Sequence, residues 1–295
     1  MRDDMVLPVE QATVRPALRP TSRIADLAWS ALQQVLPVLG VLLALLALWE
    51  GSKLLLAIPD SRLPHVVDVI SVLFTRTQGG EGPLLLVRML QNAWATFGVA
   101  LGGFVFGGVL GFLLALLFTQ LRVLELSLMP YVIGSQTVPI LAIAPMVVVG
   151  LGQLGAPGWV AKAIVAAYLT FFPVTIGMLR GLRAATPEAV ALMHSYAANR
   201  AQIFFKLRLP ASLPYLFTSL KIAATASVIG AIVAELPAGS QFGIGVVIIQ
   251  AAQFYNSRPP VLFAAILVAG SIGLVFYGLV VLAERLIVGP RAREV

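Results

Sequence analysis

Long uninterrupted apolar stretches constrain this chain of 295 residues more than any other feature. The hydrocarbon core of a bilayer is about 30 Å thick and is crossed by about 20 helical residues. Charged residues make up only 11% of the chain, too few to cover the surface of a water-soluble domain of this size. We therefore predict an all-α polytopic membrane protein with about six transmembrane helices. The predicted spans are 35–58, 93–118, 127–150, 159–179, 213–234 and 261–287.

These spans divide the chain into a polar segment 1–34, a transmembrane domain 35–287 and a tail 288–295. The first segment mixes acids with arginines, unlike a secretory signal, so the span after it is expected to stay uncleaved. The apolar piece 243–252 is too short to cross and suits a re-entrant or interfacial helix.

Loop charges indicate the orientation. With the N-terminus inside, most loop arginines fall on the cytoplasmic side, whereas Arg62, Arg76, Arg88 and Arg258 fall outside. Cytoplasmic loops of membrane proteins carry the excess of Lys and Arg. Both termini are therefore predicted to be cytoplasmic, and the longest cytoplasmic loop is about 180–212.

Small residues recur every fourth position along the second span, at Gly103, Gly107, Gly111 and Ala115. Close backbone approach drives helix association in lipid, so this smooth face is expected to meet another helix. A contact within the chain is favoured over a subunit interface.

The long cytoplasmic loop contains a helix start. Thr186 can cap, Pro187 suits the first helical position, and Glu188 lies near the positive end of the helix dipole. Asn199 is expected to stop this helix in the left-handed conformation, and Ser212 is expected to cap the fifth span.

An apolar side follows from helical spacing in the same segment. Val190, Met193 and Ala197 share one side, with Tyr196 adjoining. Such a side outside the membrane is expected to be buried against another protein.

The sequence of the loop 180–212 resembles the EAA loop of bacterial ATP-binding-cassette (ABC) importer permeases. That pattern is Glu-Ala-Ala, three residues, Gly, nine residues, then Ile-any-Leu-Pro. In this chain Ala191 stands for Glu, Leu192 and Met193 for the alanines, and Ala197 for Gly. The closing residues here are Leu207-Arg208-Leu209-Pro210.

A second stretch resembles the third span of permeases in the nitrate, sulfonate and taurine importer family, and the similarity covers about 63–287. The resembling residues are Ser135-Gln136-Thr137-Val138-Pro139, Ile143-Ala144-Pro145 and Gly150-Leu151-Gly152. The resemblance implies an ABC type I importer permease-like fold in the bacterial inner membrane. It also implies a small solute: a sulfonate-, taurine- or nitrate-like anion, or an aromatic heterocycle such as a pyrimidine vitamin precursor or riboflavin.

The same resemblance implies the partners. They are a second permease copy, two cytoplasmic ATPase subunits that bind ATP and Mg, and an extracytoplasmic solute-binding protein. The loop would form a coupling helix in a groove of the ATPase. Its expected docking residues are Glu188, Val190, Met193, His194, Tyr196, Ala197, Asn199 and Arg200.

Four polar residues are candidates to line the translocation path: Gln136, Thr137, Glu235 and Gln241. Gln136 and Thr137 precede the helix-breaking Pro139, and interhelical hydrogen bonding explains them equally well. Glu235 closes the fifth span, where an acid at the outer interface is the alternative.

Catalysis by the chain itself is not expected. The glycine-rich stretches lack the Gly-Lys-Ser or Gly-Lys-Thr of a phosphate-binding loop, so a separate chain must hydrolyse ATP. With no cysteine and only His65 and His194, no metal site is expected. A secondary transporter or channel is the alternative function, and a requirement for a partner ATPase distinguishes the two.

Overall fold

The computed structural model describes residues 23–236 and 240–289. Residues 1–22 of the predicted N-terminal segment and 290–295 of the predicted tail lie outside the described residues. The described chain is helical apart from its connections and an antiparallel bridge between Arg76 and Leu84. In chain order the helices are α1 Arg23–Leu55, α2 Val66–Leu73, α3 Leu85–Gln120, α4 Arg122–Ser135, α5 Ile140–Gln153, α6 Gly158–Leu182, α7 Pro187–Ser195, α8 Arg200–Ile203, α9 Leu209–Glu235, α10 Ile244–Gln253 and α11 Pro259–Ile287.

The chain divides into two compact units, Met1–Ile58 and Pro59–Val295. In the first unit α1 begins at Arg23, well before the predicted start of the first span, and its stretch Leu36–Leu55 is apolar and long enough to cross a bilayer. Polar residues do not interrupt that stretch until its last two turns, as expected for a helix whose solvent is lipid.

Helix α6 lies at the centre of the second unit, between α3 and α9. A Cβ added at Gly107 of α3 would lie 2.5 Å from the carbonyl oxygen of Ala167, and one at Gly111 would lie 2.5 Å from that of Phe171. Only glycine allows two helix backbones to approach this closely. The predicted contact of the glycine stripe within the chain is confirmed, and α6 is the partner helix.

Helix α6 meets α9 in the same manner. A Cβ at Gly177 would lie 2.4 Å from the Cβ of Ser219, and one at Gly230 would lie 2.7 Å from the Cα of Ala166. Small residues therefore allow α3, α6 and α9 to associate by close packing. Close packing matters here because lipid tails are as apolar as the side chains, so no hydrophobic force drives the helices together.

Helix α11 covers α3 and α9. Phe276 of α11 stacks edgewise against Phe97 and lies 4.9 Å, centroid to centroid, from Phe104 of α3. Near the end of α11, Glu284 accepts a hydrogen bond from the Lys221 ammonium of α9 at 3.1 Å. This pair neutralises two charges that would be costly to leave alone within apolar helices.

The third predicted span differs from the continuous helix expected over 127–150. It is divided into α4 and α5, which are bent by 97° at a break of four residues. Pro139 directly precedes α5 and has no N–H to donate, and it disfavours helical geometry in the residue before it. Within the described residues, five helices are individually long and apolar enough to span a membrane, and the bent pair makes up to six.

The fifth span extends further than predicted, because α8, a π-helical turn Phe204–Arg208 and α9 run on as one helix from Arg200 to Glu235. The π-helical turn ends two residues before Pro210, which has no N–H to donate to the helix hydrogen bonds. Ser212 therefore has no helix start to cap. It is buried, and its hydroxyl donates to the carbonyl of Leu209 at 2.7 Å, so the capping prediction is wrong.

Candidate functional site

The predicted coupling segment, residues 180–212, contains a helix start where the sequence predicts one. Thr186 has an extended backbone, and its hydroxyl accepts a hydrogen bond from the amide of Ala189 at 3.3 Å. Pro187 occupies the first turn, where no amide partner is needed, and Glu188 lies beside the positive end of the helix. The predicted helix start is confirmed, and it belongs to α7, outside the candidate membrane spans.

The turn after α7 differs from the expectation at Asn199. Asn199 has a φ of −77° and caps the start of α8 rather than ending α7. Its side chain accepts from the amide of Gln202 while the Gln202 side chain accepts from the Asn199 amide, each at 2.9 Å. The left-handed residue is Ala197, with a φ of +54°. That conformation favours glycine, which explains why the EAA pattern places Gly at this position.

The exposed apolar surface of α7 also differs from the predicted side. Val190 and Met193 are half-buried within the chain, whereas Leu192 is 58% exposed and Tyr196 is 77% exposed. Leu192 and Tyr196 are four residues apart and so lie next to each other on the helix. Leu192 is not among the predicted docking residues, although its spacing of four residues from Tyr196 identifies it. The remaining expected docking residues, also exposed, are Glu188, His194, Ala197, Asn199 and Arg200.

Two long helices flank the coupling segment. Arg183, at the end of α6, donates two hydrogen bonds to the Glu125 carboxylate of α4, at 2.9 and 2.5 Å. This bidentate pairing raises the pKa of Arg183 and fixes the C-terminal end of α6 relative to α4. On the other side α8 continues into α9. A displacement of α7 would therefore act on α6 and α9 together.

A second polar site lies at the far end of α9. Glu235 is only 2% exposed, and its carboxylate accepts from the Thr96 hydroxyl at 2.8 Å and from the Gly245 amide at 2.9 Å. Asn92 and Thr96 of α3 accept from the amides of Gly243 and Ile244, at 2.9 and 2.8 Å. Side chains from α3 and α9 thus satisfy the free amides that begin α10.

Glycine is required where α10 approaches this carboxylate. Gly243 has a φ of +134°, and a Cβ there would lie 2.2 Å from the carboxyl carbon of Glu235. At Gly245 a Cβ would lie 2.6 Å from the carbonyl oxygen of Ile232. The predicted short helix 243–252 is confirmed as α10, and its first turn is held to Glu235 through this glycine pair.

The four expected path residues do not form one hydrogen-bonded group among the described residues. Gln136 and Thr137 lie in the break between α4 and α5, where Thr137 donates to the Gly134 carbonyl at 2.7 Å. Tyr168 of α6 donates to the Ser135 carbonyl at the same break. Gln241 is exposed, whereas Glu235 is enclosed. Their assignment to a common path stays a prediction.

Within residues 23–236 and 240–289, no group of three or more His, Asp or Glu side chains is placed to hold a metal ion.

Residues 107–289 match the family model of the binding-protein-dependent transport system inner membrane component. The chain is 29% identical to a riboflavin transport system permease protein of Chloroflexus aurantiacus over 91% of this chain and 96% of that protein. It is 28% identical to a formylaminopyrimidine transport permease protein of Halalkalibacterium halodurans, over 85% of this chain and 94% of that protein.

The fold has a solved counterpart. A chain of a crystal structure described as an amino acid ABC transporter with histidines superimposes with a TM-score of 0.52 and 18% identity, over 68% of this chain and 95% of that one. This likeness confirms the predicted all-helical, ABC permease-like fold. The sequence relatives confirm the resemblance to ABC importer permeases.

Proposed function

This chain belongs to the family of binding-protein-dependent transport system inner membrane components, and we propose that α7 is the element through which a separate ATPase drives it. The chain is a multi-pass inner-membrane permease subunit of an ABC importer, and its family works with a solute-binding protein and an ATPase. The observation that carries the proposal is α7 itself: a capped helix outside the candidate spans that exposes Leu192 and is followed directly by the exposed Tyr196.

Coupling would proceed by rigid displacement. ATP and Mg bind to two ATPase subunits, which close and push a docked α7 on each of two permease copies. Because α7 is joined to α6 on one side and to α8 and α9 on the other, its displacement moves both long helices. The close backbone packing of α3, α6 and α9 resists bending, so the helices move as a body and exchange inward and outward openings.

The proposed function includes a translocation path lined by polar groups and a class of transported solute. Gln136 and Thr137 at the break between α4 and α5 supply polar groups to the path, with Gln241 and Glu235 at the α9–α10 end. An aromatic heterocycle is the first solute class to test, because the relatives described above are named for riboflavin and formylaminopyrimidine. A sulfonate-, taurine- or nitrate-like anion is the second class.

The test is reconstitution of the chain with its ATPase and solute-binding protein in proteoliposomes. Tyr196→Ala should weaken ATPase docking at least about 30-fold, because truncating a central interface aromatic costs at least about 2 kcal/mol. Ala197→Trp should block docking by bulk. Co-purification of the ATPase and substrate-stimulated ATP hydrolysis measure both effects, and a panel of both solute classes identifies the substrate.

Phe254→Ala is the matched control, since Phe254 is an exposed aromatic outside α7 and follows α10. This variant should dock as wild type does. Wild-type docking and hydrolysis in Tyr196→Ala and Ala197→Trp would exclude α7 as the coupling element. Uptake that proceeds without ATP would instead indicate a secondary transporter or a channel.

A further inference from the structure

A cavity of about 330 Å³ lies where α3 ends, α4 begins, α6 ends and the π-helical turn leads into α9. Three arginines line it: Arg122, Arg183 and Arg208. Phe118 and Leu182 supply an apolar wall. The cavity therefore combines a strongly cationic side with an apolar one.

The positive charge of the cavity is only partly compensated. Glu125 is already engaged in its two hydrogen bonds with Arg183. Among the described residues neither Arg122 nor Arg208 has a carboxylate within ion-pair distance, and Arg208 is half-buried. The guanidinium groups of Arg122 and Arg208 are therefore free to bind an anion.

Helix α4 adds to this charge. Its first residue is Arg122, one of the lining residues, and no side chain caps its N-terminus. Its first turn contains one acid, Glu125, and this carboxylate is hydrogen-bonded to Arg183. The free amides and the positive dipole end of a helix of 14 residues favour a negative group there.

We propose that this cavity binds a phosphate group, supplied by the headgroup of an anionic phospholipid. Guanidinium groups match phosphate oxygens in a planar, two-bond geometry, and the apolar wall suits the glycerol and the first acyl carbons. The cavity lies at the ends of candidate membrane spans, which is the depth of lipid headgroups, and basic pockets between such helices are typical of anionic-lipid binding. The phosphate joins the start of α4, the end of α6 and the π-helical turn that leads into α9.

The probes are phosphatidylglycerol and phosphatidylcholine, added to the purified full-length chain in a neutral detergent. Wild type should bind phosphatidylglycerol in native mass spectrometry and melt at a higher temperature with it, and phosphatidylcholine should do neither. Arg122→Gln and Arg208→Gln should each bind phosphatidylglycerol about tenfold more weakly, because each removes a charged hydrogen-bond donor. Arg285→Gln is the control: it removes an exposed arginine from the last turn of α11 and should bind as wild type does.

Inorganic phosphate alone distinguishes the source of the group. If phosphate ion stabilises wild type but neither Arg122→Gln nor Arg208→Gln, and phosphatidylglycerol does not, the phosphate site stands but a soluble phosphate occupies it. Equal phosphatidylglycerol binding by wild type, Arg122→Gln and Arg208→Gln would overturn the proposal. So would an equal loss in Arg285→Gln, since it would indicate general attraction between charges.

Discussion

The Glu235 carboxylate makes its hydrogen bonds to groups that lie far apart in the sequence. Thr96 of α3 and the Gly245 amide of α10 both donate to it, and only 2% of Glu235 is exposed. A buried donor that loses its acceptor is destabilising, because its desolvation is no longer offset by a hydrogen bond. Glu235 therefore holds α10 in place through these hydrogen bonds, in addition to its proposed role in the translocation path.

Replacing Glu235 separates the two roles. Glu235→Ala should lower the free energy of unfolding by about 2–3 kcal/mol, because Thr96 and the Gly245 amide lose their acceptor. Glu235→Gln keeps one acceptor oxygen and should lose less. Thermal unfolding of the detergent-solubilised chain measures both. Wild-type stability in both variants together with lost transport would assign Glu235 to the path alone.

The glycine stripe of α3 acts as one element. Its three glycines face the α6 backbone, and each added methyl group would enter the space of a carbonyl oxygen or a neighbouring Cβ. Two other glycines of α3, Gly98 and Gly108, face open space. The helix therefore has one face that requires glycine and another that merely contains it.

Neighbouring substitutions on these two faces should have opposite outcomes. Gly107→Ala places a Cβ 2.5 Å from the Ala167 carbonyl oxygen and should destabilise the chain by about 1–3 kcal/mol through overpacking. Gly108→Ala meets no atom within 4 Å and should be neutral or slightly stabilising, because alanine is the better helix former. Melting temperatures of the two variants, compared in one detergent, decide this. Equal losses would mean that the α3–α6 packing is not the determinant.

Orientation is a property of the whole molecule. Loop arginines predict that the α7 segment is cytoplasmic and that the connection between α10 and α11 is outside. The proposed ATPase docking requires this orientation, because the ATPase is a cytoplasmic partner. A second copy of the chain, related by a two-fold axis, would present a second α7 on the same side.

Cysteine labelling tests the orientation directly, since the native chain contains no cysteine. Ser257→Cys, at an exposed position before α11, should react with a membrane-impermeant maleimide in intact cells. Ala198→Cys, beside α7, should react only after the membrane is permeabilised. The reverse pattern would overturn the orientation and the docking proposal with it.

The sequence by itself determined the features that depend on local chemistry and on the solvent. Apolar length predicts the spans, because a bilayer of about 30 Å needs about 20 helical residues. Thr186 and Pro187 predict the start of α7, because a helix start must satisfy its own amides. The small residues of α3 predict a close helix contact, although not with which helix.

Only the tertiary structure decided the remaining features. Lipid-facing and helix-facing side chains are equally apolar, so hydrophobic periodicity does not reveal that α6 is the partner of α3. The left-handed conformation at Ala197 is set by how α7 joins α8, which overrode the local preference of Asn199. The Thr96–Glu235 bond and the arginine-lined cavity join residues distant along the chain, and no local pattern records which distant groups a folded chain brings together.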